Sequence, residues 1–128
     1  MASRIVSVPI DCTDAELLAS FWAAVLGWRI AERGWQQTGH GLDGVSIAPI
    51  GGGPFEIDFR WVPGGPSQSK NRLHLDINPT DRDQDSELNR LLALGTKPVD
   101  VGQGQVSWHV LADPEGNVFC LCRDQVEP

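Results

Sequence analysis

Two stretches of this chain, Arg4-Ile-Val-Ser-Val-Pro-Ile-Asp-Cys-Thr-Asp14 and Asn71-Arg-Leu-His-Leu-Asp-Ile-Asn-Pro-Thr-Asp81, decide the fold, because they are one pattern written twice. Each alternates apolar and polar residues, as a half-buried strand does. Each ends in Thr-Asp and leads into a helical stretch that closes on Leu-Gly, at Leu26-Gly27 and Leu94-Gly95. Counting back seven residues from the two Asp residues reaches Ser7 and His74. A repeat of roughly 60–65 residues implies two copies of one small unit packed together. Equivalent positions of such copies converge on a pseudo-twofold axis, so the surface they share is the first place to seek chemistry.

Working outward, Val6, Val8 and Ile10 share one face of a strand over about 4–11, with Ile5, Ser7 and Pro9 on the other. Pro9 cannot donate to a ladder, which puts this strand at an edge or ends it early. Thr13 followed by Glu16 reads as a capping box. Leu17, Leu18, Phe21, Trp22, Val25 and Leu26 then form an apolar helix face, and Gly27 stops the helix. Strands are predicted near 28–35, 44–50 and 54–62. The second half repeats the order, with a strand near 72–78, a helix over about 82–94 that turns Leu88, Leu91 and Leu92 inward, and strands near 97–101, 106–112 and 117–123. Asp113-Pro-Glu-Gly116 is a turn signal that joins the last two strands. The Pro- and Gly-rich run 63–71 reads as a linker between a first module, about 4–62, and a second, about 72–124, of one domain spanning 1–128.

At 128 residues the chain buries a core without staples. Ten basic against seventeen acidic residues give a net charge of −7, which argues against a nucleic-acid partner and favours a cationic ligand over an anionic one. No apolar run reaches membrane-span length and no signal pattern opens the chain, so no membrane partner is expected. Three cysteines, two of them in Cys120-Leu-Cys122, argue against a disulfide framework and for a cytoplasmic location.

Three stretches, Val8-Pro-Ile-Asp-Cys-Thr-Asp14, Lys70-Asn-Arg-Leu-His-Leu-Asp76 and Asp113-Pro-Glu-Gly-Asn-Val-Phe-Cys120, give the whole chain a resemblance to the vicinal oxygen chelate superfamily. That superfamily includes glyoxalase I, extradiol dioxygenases and bleomycin- and fosfomycin-resistance proteins. The resemblance implies an α+β fold: two βαβββ modules whose curved mixed sheet forms a cup, with one helix packed behind each half. It implies a small molecule bound in the cup between the modules, and members that often pair as homodimers. Where such members hold a divalent metal (zinc, nickel, iron or manganese), ligands come from the first and last strands of each module. Carried over, these positions are Ser7 and His74, with Asp58 and Cys120 equivalent on the last strands. Only His74 keeps a usual ligand type, and no cofactor is assured. The readings are then a small-molecule-binding protein; alternatively, a metal-dependent lyase, isomerase or dioxygenase with His74, Asp58 and Cys120 as ligands and Glu56 as base; or a degenerate module serving as a structural or regulatory domain.

Strand parity sorts the remaining candidates. Phe55, Ile57, Phe59 and Trp61 face the helix, which leaves Glu56, Asp58 and Arg60 together on the open face. They form either a plain ion pair or the polar floor of a ligand pocket. Leu73, Leu75 and Ile77 likewise leave Arg72, His74, Asp76 and Asn78 opposite, where Asp76 either orients His74 or pairs with Arg72. His74 is a member of a functionless polar cluster, a metal ligand, or a group that contacts the ligand and exchanges protons with it. Cys120 and Cys122 read as packing residues, with a Cys120 thiolate suited to zinc as the sharper alternative. Cys12 reads as structural. His40 reads as a hairpin tip, and the face taken by His109 is open. Trp22 and Trp61 read as core, whereas Trp28, Trp35 and Trp108 are candidates to line a pocket, Trp108 as a ligand contact.

Overall fold

The first strand, β1 (Ser7–Cys12), runs parallel to β4 (Glu56–Trp61), while β2 (Arg29–Arg33) and β3 (Gly44–Ala48) complete an antiparallel run in the order β1-β4-β3-β2. The second module repeats this with β5 (Leu75–Ile77), β6 (Lys97–Pro98), β7 (His109–Ala112) and β8 (Val118–Leu121) in the order β5-β8-β7-β6. Again the first strand is parallel to the last and the rest are antiparallel. The fold is therefore α+β, with one helix per module: α1 (Ala15–Leu26) and α2 (Gln84–Ala93). These elements come from a computed structural model that describes residues 2–34, 44–65, 67 and 69–128. The chain divides into two compact units, Met1–Gln68 and Ser69–Pro128.

In the first unit α1 lies against β2, β3 and β4. Leu18, Phe21 and Trp22 of the helix are buried, as are Val45, Ile47, Ile57 and Phe59 of the sheet. Phe21 and Trp22 meet edge to face, with ring centroids 5.4 Å apart. Asp14, not Thr13, caps the helix: its side chain accepts from the Leu17 N–H at 3.1 Å. Glu16 is then left free of the capping role and forms a forked pair with Arg33 of β2, Nε to Oε2 at 3.0 Å. Gly27 takes the left-handed conformation that ends the helix. As Pro9 requires, β1 is an edge strand of its sheet.

In the second unit α2 is capped by Asp83, whose side chain accepts from the Ser86 N–H at 2.9 Å. Gln84 Nε2 donates to the Ser107 and Leu121 carbonyls and so ties the helix start to β8 and the approach to β7. Glu87 is buried, and its charge is met by Arg90, Nε to Oε1 at 2.6 Å, and more distantly by Arg82. The Asp113 turn forms as expected. Its buried carboxylate accepts from the Glu115 and Asn117 N–H groups and from Asn117 Nδ2.

Several packing expectations need correction. Leu73, expected to face the helix, is 87% exposed because β5 begins only at Leu75. Leu17 and Leu92 are exposed as well, since the buried stripe of each helix is narrower than the apolar pattern suggests. Trp61 is half-buried at the end of β4 rather than in the core. Trp28 packs edge to face on Phe55. Trp35 and His40 lie outside the described residues.

Candidate functional site

Residues paired across a ladder share a face, so register assigns every candidate. On the first sheet Ser7 pairs with Glu56, Pro9 with Asp58 and Asp11 with Arg60, opposite the Ile57 and Phe59 face that meets α1. Ser46 of β3 pairs with Asp58, and its hydroxyl donates to Asp58 Oδ1 at 2.8 Å. Glu56 and Arg60 are exposed on this face, and among the described residues Arg60 has no ion pair. The ion-pair reading of Arg60 therefore finds no partner there.

On the second sheet Asp76 pairs with Cys120 and Cys120 with Val110. The two sheets thus share one register, with Pro9 and Asp58 of the first standing where Asp76 and Cys120 stand in the second. Leu75, Ile77, Phe119 and Leu121 take the opposite face. His109 pairs with Leu121 and so belongs to that apolar face, a point left open by the sequence.

His74, Asp76 and Cys120 come together. His74 Nε2 lies 3.3 Å from Asp76 Oδ1, with both side chains more than half exposed. One donor atom from each of the three residues lies within 4.8 Å of the others. Cys120 sits deeper, 8% exposed. Burial first, and the neighbouring Asp76 charge second, push the Cys120 thiol above its ordinary range. Cys122 is pushed up in the same way, by burial and then by Asp76 and Asp124. Of the three residues predicted as metal ligands, His74 and Cys120 are brought together, and Asp58 belongs to the other unit, bonded to Ser46. The sequence points to Asp76 only as a partner of His74 or of Arg72. The His-x-Asp spacing places it on that face, but its meeting with Cys120 depends on a register between strands far apart in sequence.

Trp108 stands elsewhere, on the wall of a groove of about 500 Å³ in the second unit. Leu88 and Leu92 of α2 form one side of this groove, and Val99, Val106, Trp108 and His109 line the rest.

Fold and site together define a protein of two repeated βαβββ modules, with a His, Asp and Cys cluster on the second sheet. The chain belongs to the glyoxalase-like domain family, whose model matches residues 7–122. Comparison with curated proteins gives no match. Among solved structures, the fosfomycin resistance protein FosX from Mesorhizobium loti matches with TM-score 0.67 and 13% identity, over 98% of this chain and 95% of that one. FosX from Listeria monocytogenes, in a mutant form complexed with Mn(II) and 1S,2S-dihydroxypropylphosphonic acid, matches with TM-score 0.66 and 15% identity, over 98% and 93%. A glyoxalase/bleomycin resistance protein from a Streptomyces species is 25% identical, with TM-score 0.51 over 95% and 100% of the two chains. These neighbours share the fold of this chain over nearly its whole length. Among the described residues no helix is long and apolar enough to cross a membrane.

Proposed function

We propose that this protein binds a small molecule on the polar open faces of its sheets. The observation that carries the reading is the convergence of His74, Asp76 and Cys120 on a face opposite the apolar Phe119 and Leu121. Polar groups gathered on one side of an otherwise apolar sheet fix the orientation of a ligand. Ser7, Asp58 and Arg60 on the open face of the first sheet are the further contacts proposed, while Trp108, at the groove beside α2, is proposed as a contact for a ligand seated there. Arg60, without an ion pair among the described residues, is the group suited to an oxygen-rich ligand. Calorimetric screening of small oxygenated and cationic molecules tests this. His74→Ala and Arg60→Ala should each weaken a hit by about tenfold or more. Hits that bind both variants as tightly as the parent would defeat the reading.

A second reading, a metal-dependent lyase, isomerase or dioxygenase, is favoured by the donor set of the cluster. Imidazole, carboxylate and thiol are all groups that bind zinc, so the residues fit a divalent metal. A metal so held would polarise adjacent oxygens of a substrate. Glu56, exposed on the open face of the first sheet, is the base that this reading proposes. Turnover of 2-oxoaldehyde adducts or catechols that disappears in Glu56→Gln and on chelation supports this reading, and turnover indifferent to both refutes it. The free cysteines support a cytoplasmic location. Family resemblance supports a homodimer, which light scattering would test directly.

A further inference from the structure

We propose that His74, Asp76 and Cys120 form a zinc site contained within the second module, with Asp76 as the third protein ligand. The inference rests on the metal-dependent reading and deepens it, naming the metal class and replacing Asp58 in the ligand set. Tetrahedral zinc with bonds of about 2.0–2.3 Å sets its nitrogen and oxygen donors about 3.3 Å apart, and sulfur about 3.6 Å from either. His74 Nε2 and Asp76 Oδ1 already stand 3.3 Å apart. The thiol lies within 4.8 Å of both, so a rotamer adjustment of about an ångström closes the set.

The β5–β8 ladder sets Asp76 and Cys120 side by side independently of any metal. Asp76 and Cys120 are directly paired across the parallel β5–β8 ladder, and His74, just before β5, sets its Nε2 3.3 Å from Asp76 Oδ1. Exposure of His74 and Asp76 leaves an entry path from solvent, while Cys120 supplies a sheltered floor. One thiol and one imidazole beside a single carboxylate select zinc over magnesium, calcium or manganese, which prefer sets made of oxygen. Three protein ligands leave the fourth tetrahedral position open. The equivalent positions of the first sheet are Ser7, Pro9 and Asp58, and proline offers no side-chain donor, so the site belongs to one module only.

Full-length protein purified without chelator or histidine tag, then stripped, is titrated with Zn(II) against a chromophoric chelator and separately loaded with Co(II). One zinc per chain is expected, and the cobalt form should show a thiolate-to-cobalt charge-transfer band. Asp76→Asn and His74→Ala, both surface changes that keep the melting temperature, should each weaken zinc binding at least about tenfold. Cys120→Ser should remove the charge-transfer band, and Asp58→Asn should bind as the parent does. Zinc affinity untouched by Asp76→Asn, or lost in Asp58→Asn, overturns the site while leaving a metal-dependent protein standing. No binding of zinc or cobalt by the parent overturns both.

Discussion

Cys120 carries the residue-scale chemistry, because it is the one member of the cluster removed from water. Burial and the Asp76 charge both disfavour its thiolate, so its folded pKa lies above that of an exposed cysteine. In metal-free protein, alkylation of Cys120 followed by peptide mass spectrometry should therefore be slow at neutral pH and should rise only at a pH higher than that needed by an exposed cysteine. Asp76→Asn removes the charge that adds to the effect of burial and should shift that rise to lower pH. A rate like that of a free thiol at pH 7 would show that Cys120 is neither buried nor next to the charge. Asp113 makes the opposite kind of contribution, wholly structural. Its buried carboxylate holds the Glu115 and Asn117 N–H groups of the turn before β8. Asp113→Ala leaves those donors unsatisfied and should cost about 3 kcal/mol. Urea unfolding should show this as a lower midpoint at an unchanged slope.

Elements are delimited by caps, and the sequence pattern points to a cap of α1 one residue early. The Thr13 and Glu16 spacing imitates a capping box, yet Asp14 competes for the same N–H groups and wins with a charged acceptor. The strands β5, β6 and β7 came out shorter than the alternation suggested, because alternation persists where no neighbouring strand pairs. That is also why the alternation points Leu73 toward a core it does not enter. Two predictions belong to this scale. Gly27 has φ of 67°, and a methyl added there meets nothing within 4 Å, so Gly27→Ala tests backbone strain alone. It should cost about 1 kcal/mol by chemical denaturation, and a neutral result would mean the α1 terminus adjusts freely. Asp83 has its pKa lowered, first by the hydrogen bond from the Ser86 N–H. Its contribution is therefore complete above the unfolded value near 3.9 and is lost as pH falls through the lower folded value. Asp83→Ala should abolish that part of the acid sensitivity of α2, and an identical acid profile in the variant would remove the cap from the account.

For the whole molecule, the repeat carried the most information, since one short pattern occurring twice implied the same strand order twice. It also aligned Asp58 with Cys120, and the Pro9–Asp58 and Asp76–Cys120 pairings show that alignment in the ladders themselves. The missing part of the candidate site was of a different physical kind. Asp76 meets Cys120 only through the register of two strands more than forty residues apart, and no local propensity encodes that distance. Net charge, by contrast, is legible from composition alone and acts on the whole surface. With −7 spread over a small domain, an approaching cation is attracted before it meets any particular side chain. The reach of that field is set by salt, shrinking from about 30 Å at 0.01 M to about 8 Å at 0.15 M. Association of a cationic ligand, followed by stopped-flow tryptophan fluorescence, should therefore slow by about tenfold or more across that range. A neutral analogue of the same shape should be unaffected, because its encounter depends on collision and fit. Equal salt dependence for the two would mean that the acidic surface keeps the protein dispersed and takes no part in choosing what it binds.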